Sequence, residues 1–217
     1  MLGTVPVEAD GSAHFTAPAN IPLLFQALDE QGQAVQIMRS ATYLQPGEKA
    51  TCIGCHEPRQ STPSPARALL ALARSPSRIE PGPEGSKPFS YPMLVQGVLD
   101  RRCVECHGRD QPGGGVVLTG EPEGHYTCSY NALVKGVPYS NDTHPDSLCR
   151  PGQFGARGSR VMKLLLEKGH YDVALNREEI ERLTTWMDAN ALFYGTFDPA
   201  DQARQRRGER IAGPKLE

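Results

Sequence analysis

Long apolar runs are missing from this chain. No stretch approaches the roughly 18–20 apolar residues that a membrane-crossing helix needs, so no spanning helix is expected. An excess of one charge is missing too. Lys and Arg number 23 against 25 Asp and Glu, a net of −2, which removes the basic footprint of a nucleic-acid binder. Aromatic residues make up only 6% of the chain, with a single Trp, and hydrophobic residues 38%. Such a chain builds modest apolar cores unless another group supplies buried surface. In their place stand 22 Gly and 19 Pro, the composition of a loop-rich protein, together with six Cys and six His. The length, 217 residues, fits one large domain or two small ones.

Four of the cysteines and two of the histidines fall in two short strings, Cys52-Ile53-Gly54-Cys55-His56 and Cys103-Val104-Glu105-Cys106-His107. Each is a C-x-x-C-H pentad, the attachment signal for c-type haem. Two thiols three positions apart can each form a thioether to one porphyrin edge, and the His that follows falls under the iron as proximal ligand. Zinc ribbons also pair C-x-x-C knuckles, usually about 15–20 residues apart. Here 47 residues separate Cys55 from Cys103, and a His follows both knuckles, which zinc does not require. A thioredoxin-like C-x-x-C needs a βαβ setting that the pattern does not offer. Two covalently bound haem c groups are therefore expected, held by Cys52, Cys55, His56, Cys103, Cys106 and His107. A haem also adds the buried apolar surface that the composition lacks.

Along the chain, residues 1–50 read as β. Thr4–Glu8, Ala13–Thr16, Ile21–Leu28 and Ala34–Met38 are strand-like, with turns at Ala9-Asp10-Gly11-Ser12 and Glu30-Gln31-Gly32-Gln33, and this spacing predicts a small β-sandwich. Residues 51–88 hold the first pentad and a Pro-rich linker, with seven prolines between 58 and 88 and one short helix over Ala66–Arg74. Residues 89–197 look helical. Ser90 is a candidate cap with Pro92 in the first turn. Ser159 starts a helix that runs through Lys168 and stops at Gly169. Asn176 with Glu179 makes a capping box, and Ile180, Leu183 and Met187 form a stripe beside Trp186 that reads as core. Residues 198–217 read as a flexible, solvated tail with clustered arginines, or as a basic docking patch. The fold class is therefore α+β, a β-sandwich-like domain followed by a mainly α-helical, loop-rich domain.

Each iron has a sixth position. His170 lies 63 residues after His107 and just before Leu175-Asn176-Arg177-Glu178-Glu179-Ile180-Glu181-Arg182-Leu183. This region resembles the closing segment of single-haem cytochrome c domains, where a distal Met precedes such a helix and His170 stands in its place. The second domain is on this resemblance cytochrome c-like, with His107 and His170 as a bis-histidine pair, and replacing thioether by imidazole makes a low-potential centre. For the first haem, His14, His125 and His144 are candidates, with an open position as the other possibility. Cys128 and Cys149 remain, and a spare pair in an oxidising compartment is usually a disulfide.

The stretch Val5–Ala13, then Leu24–Asp29, Met38-Arg39-Ser40, Tyr43–Glu48 and Cys52–Glu57, with Gly169-His170-Tyr171 and Trp186 through Thr196 near the end, resembles the hydrazine synthase alpha-subunit family. That resemblance implies a middle β domain and a C-terminal dihaem region, with a β-propeller preceding them in the family. It implies two His ligands on the second haem. In the family a Tyr four residues after the first pentad binds iron and the pentad His is freed for zinc. Here that position is Gln60, so His56 is expected as an ordinary proximal ligand. The expected function is electron transfer by a dihaem c-type cytochrome, with no catalytic residue assigned. It would be a fragment of a larger exported, periplasmic redox protein, working with a redox partner or other subunits. The alternative is a redox enzyme acting on a small nitrogen or oxygen species at an open first haem.

Overall fold

The structure, a computed structural model, describes residues 1–38, 41–54, 68–82, 85–139 and 151–213. The chain forms two compact units, one of Met1–Phe25, Met38–Lys87 and Gly213–Glu217, the other of Gln26–Ile37 and Pro88–Ala212.

The first unit is largely irregular. Its pairing consists of single bridges, Thr4 with Glu80, Phe15 with Ser77 and Leu23 with Thr42. The β-sandwich expected for residues 1–50 does not form among the described residues. Pro6, Pro18 and Pro22 each remove a ladder donor, and Val7, Leu24 and Phe25 are exposed rather than buried. The Asp10-Gly11 turn does form, with the Gly11 N–H on the Glu8 carbonyl. Asp10 then accepts from the Leu70 N–H and Ser12 Oγ from the Ala71 N–H. Arg74 donates to Glu8 at 2.6 Å and to Ser77 Oγ at 2.8 Å. The Pro-rich stretch is thus tied to the N-terminal segment wherever it is described. Its helix is one 3₁₀ turn, Leu70–Ala73, and residues 66 and 67 of the expected helix lie outside the described residues.

The second unit is mixed α and β. It contains a hairpin β1 (Gln26–Leu28) and β2 (Ala34–Ile37), then α1 (Tyr91–Leu94), α2 (Gln96–Arg102), a small hairpin β3 (Pro122–Glu123) and β4 (Tyr126–Thr127), α3 (Cys128–Leu133), α4 (Gly155–Gly158), α5 (Arg160–Lys163), α6 (Arg177–Asp188) and α7 (Pro199–Arg206). Its core gathers Tyr91, Val95, Val98 and Leu99 with Tyr130, Met162, Leu183, Trp186, Met187 and Phe193. Tyr91 meets Trp186 edge-on at 5.0 Å and stacks on Phe193 at 5.5 Å. Pairs of this kind add about 0.5–1.5 kcal/mol each beyond burial, so a few aromatics hold this core. Met187 is buried among them, as its place on the stripe predicts.

Several helix ends follow the sequence. Asn176 Oδ1 accepts the Glu179 N–H, and Glu179 Oε2 accepts the Asn176 N–H, a complete capping box. Ser159 Oγ accepts the Val161 N–H. α5 continues as a π turn, Leu164–Lys168, that ends at Gly169 with φ 72. Ser90 is different, for its hydroxyl caps nothing and is buried without a partner. Its backbone instead bridges Tyr194.

The expected flexible tail is corrected over residues 198–213. Asp198 Oδ1 accepts the Ala200 and Asp201 N–H groups with Pro199 in the first turn, and α7 forms. Gln205, 1% exposed, donates to the Phe89 carbonyl at 2.8 Å and accepts the Gly195 N–H. Its arginines are engaged locally, Arg204 with Asp201 and Glu209, Arg207 with Glu209, and Arg206 with the Tyr194 hydroxyl.

The hairpin β1–β2 is docked within this unit. Its turn is an Asx turn in which Asp29 Oδ1 accepts the Gln31 and Gln33 N–H groups. Asp188, at the end of α6, accepts the Ala34 and Ala156 N–H groups, each at 2.8 Å. Arg157 pairs with Asp29. Gly155 has φ 55, and a side chain there would collide with the Asp188 carboxylate. Among the described residues no helix is long and apolar enough to cross a membrane.

Candidate metal centre around His107 and His170

α2 delivers the second pentad. The helical hydrogen bonds continue past its end, with the Cys103 N–H on Leu99 and the Cys106 and His107 N–H groups on the Cys103 carbonyl. Cys103, Cys106 and His107 therefore stand at i, i+3 and i+4 of a helical turn and share one face. Both thiols are free, Cys103 half-buried and Cys106 exposed. Burial, then the charge of Glu179 and the neighbouring Cys106, pushes the Cys103 thiol up to about 11.

The imidazole of His107 is held from behind. Its Nδ1 lies 3.1 Å from the Val116 carbonyl. A carbonyl only accepts, so Nδ1 carries the proton and the Nε2 lone pair is left for a metal. The loop that supplies this carbonyl is itself anchored. Leu118 donates to the His107 carbonyl and Gly113 to the Cys106 carbonyl, both at 2.8 Å. Gly113 fits closely there, since a Cβ would lie 3.0 Å from that same carbonyl and would press it aside. Buried Gln96 donates to the Leu118 carbonyl and accepts from Ser129, which accepts in turn from the Tyr91 hydroxyl.

His170 approaches on a separate loop after the π turn. The Val173 N–H closes on the His170 carbonyl at 2.9 Å, with Tyr171 at φ 45 and Asp172 at φ 61. That is a tight turn with two left-handed residues, neither of them Gly. The His107 and His170 rings lie 5.9 Å apart, centre to centre, with planes 21° from parallel. Without a bound group this is the geometry of a loose stack. Two imidazole–metal bonds of about 2.0–2.1 Å, plus half a ring on each side, span a similar distance. The spacing of the two imidazoles thus suits one metal between them, and Cys103 and Cys106 share the helical turn that carries His107.

Of the first pentad, Cys52 is described and exposed; Cys55 and His56 lie outside the described residues, as do Gln60, His144 and Cys149. Cys128 is a buried free thiol with Arg109 3.8 Å from its sulfur. His14 is half-buried with an unpartnered Nδ1, and His125 is exposed in the β3–β4 turn. Among the described residues no group of three or more His, Cys, Asp or Glu side chains converges. Two supporting residues escaped the sequence reading. Val116 acts through its backbone and leaves no signal. Gln96 does leave one, a polar residue beside Val95 and Val98 on an otherwise apolar helix face.

Residues 1–57 match the family described as the hydrazine synthase alpha subunit middle domain. The chain is also 26% identical to the hydrazine synthase subunit alpha of Kuenenia stuttgartiensis, in a 190-residue alignment covering 62% of this chain and 24% of that protein. It thus spans about a quarter of the length of the curated relative it matches. No solved structure matches the chain.

Proposed function

We propose that this chain is a dihaem c-type cytochrome module that transfers electrons, part of a larger exported redox protein related to hydrazine synthase alpha. The observation that carries the reading is the near-parallel pair His107 and His170, 5.9 Å apart, with Cys103 and Cys106 on the turn that carries His107. A haem bound there supplies a one-electron couple. The chain's own residues do the rest. Cys103 and Cys106 would anchor the group, Val116 fixes the His107 tautomer, and His107 and His170 would hold its iron with two imidazoles, an arrangement that favours electron transfer over ligand chemistry. Cys52, Cys55 and His56 would hold the first haem. Thioether attachment would require export, so the proposal includes a periplasmic setting, with a redox protein or other subunits as partners.

A pyridine haemochrome assay on the exported chain tests this. The expected result is two covalent haems per chain, and none would overturn the proposal. A second reading has one observation in its favour: the family match over residues 1–57 runs through the first pentad. On that reading an open first haem acts on a small nitrogen or oxygen species. Carbon monoxide binding to the reduced protein would mark such a site, while two six-coordinate haems that ignore it would exclude one.

A further inference from the structure

α2 ends at Arg102 and passes directly into Cys103, while α6 begins at Arg177, a short loop beyond His170. One carboxylate joins these two points. Glu179 accepts from Arg102 Nε at 3.0 Å on Oε1 and 3.1 Å on Oε2, and Oε2 also takes the Asn176 N–H at 3.1 Å. Arg101 Nε stands 3.5 Å from Oε1. Glu179 is 3% exposed. Burial alone would push its carboxyl up, yet the Arg102 hydrogen bonds, the Asn176 N–H and the Arg102 charge hold it below the ordinary range.

A helix cap does not explain this arrangement. Gln closes a capping box as well as Glu does and brings no charge into the interior, where a charge is costly unless fully paired. The charge serves the other partner, the helix that carries the pentad. The connections are short on both sides, since Arg102 precedes His107 by five residues and Asn176 follows His170 by six. We propose that Glu179 is a positioning residue that sets the spacing of the two imidazoles, and so decides whether both can hold one metal together. This rests on the haem reading above.

The test uses the full exported chain with Cys52→Ala and Cys55→Ala, so that only the second pentad carries haem. Glu179→Gln keeps the cap and removes the ion pair; Arg102→Gln, altered from the partly exposed side, removes the same pair and serves if the first variant fails to fold. Asn176→Ala does the reverse. With covalent haem content unchanged, E179Q and R102Q should raise the affinity of the reduced protein for carbon monoxide roughly tenfold or more, the worth of a hydrogen bond to a charged group. N176A should not. Unchanged carbon monoxide affinity in E179Q and R102Q, against a parent that carries low-spin haem, would overturn the role of Glu179 alone. A parent without covalent haem would overturn the haem reading and this inference with it.

Discussion

At the residue scale, Asp188 shows how one group can gain and lose with pH. It is 2% exposed, and burial raises its carboxyl from 3.8 to about 6, against the lowering effect of the Ala156 and Ala34 N–H groups. Its folded pKa lies above the unfolded one, so the folded state holds the extra proton between these values. The stability this contributes is full below about pH 3.8, falls as pH rises, and is gone above about 6. Asp188→Asn cannot titrate, and its amide would turn a donor toward one of two backbone N–H groups. At pH 7 it should cost about 1–3 kcal/mol in urea unfolding. The wild type's advantage over it should widen as pH is lowered from 6 toward 4. His170→Ala belongs to the same scale. In the haem-loaded chain it should convert one haem from low-spin to high-spin, and an unchanged absorption spectrum would retire His170 as a ligand. The place of His170, just before a capping box and an apolar stripe, was legible in the sequence. The Val116 carbonyl that orients His107 was not, since every residue carries one.

Among the elements, α7 and the Tyr171–Asp172 turn behave in opposite senses. α7 is held through one polar side chain, so Gln205→Ala should strip the Phe89 and Gly195 backbone partners and cost about 1–3 kcal/mol. Hydrogen exchange over residues 199–206 should then quicken well before the rest of the unit opens. The turn stores strain. Asp172→Gly relieves a left-handed backbone at φ 61 and should raise the midpoint of thermal unfolding, worth about 1 kcal/mol. Helix starts such as Asn176 and Ser159, and the stop at Gly169, could be read from sequence because their partners lie within a few residues. α7 was overlooked because its anchor is a buried Gln rather than an apolar stripe, although Asp198-Pro199 announced its start. The β-sandwich failed for the converse reason. Alternation and turns in residues 1–50 are local signals, but strand pairing needs distant partners and unbroken donors, and three prolines intervene.

For the whole molecule, the informative fact is that neither unit is one continuous stretch. Residues 26–37 lie within the segment read as an N-terminal β domain, yet they belong to the compact unit that contains α1 to α7. A fragment beginning at residue 51 would lose β1 and β2, leave Arg157 without Asp29, and leave the buried Asp188 carboxylate short of the Ala34 N–H. It should melt at a lower temperature than a fragment of residues 26–212, and equal melting temperatures would show that the hairpin contributes nothing. The same contact has a bearing on time. Ala34 and Asp188 are 154 positions apart, and long-range closures of this kind are slow to form. On a ribosome Ala34 emerges long before Asp188, so this unit stays open until most of the chain has been made.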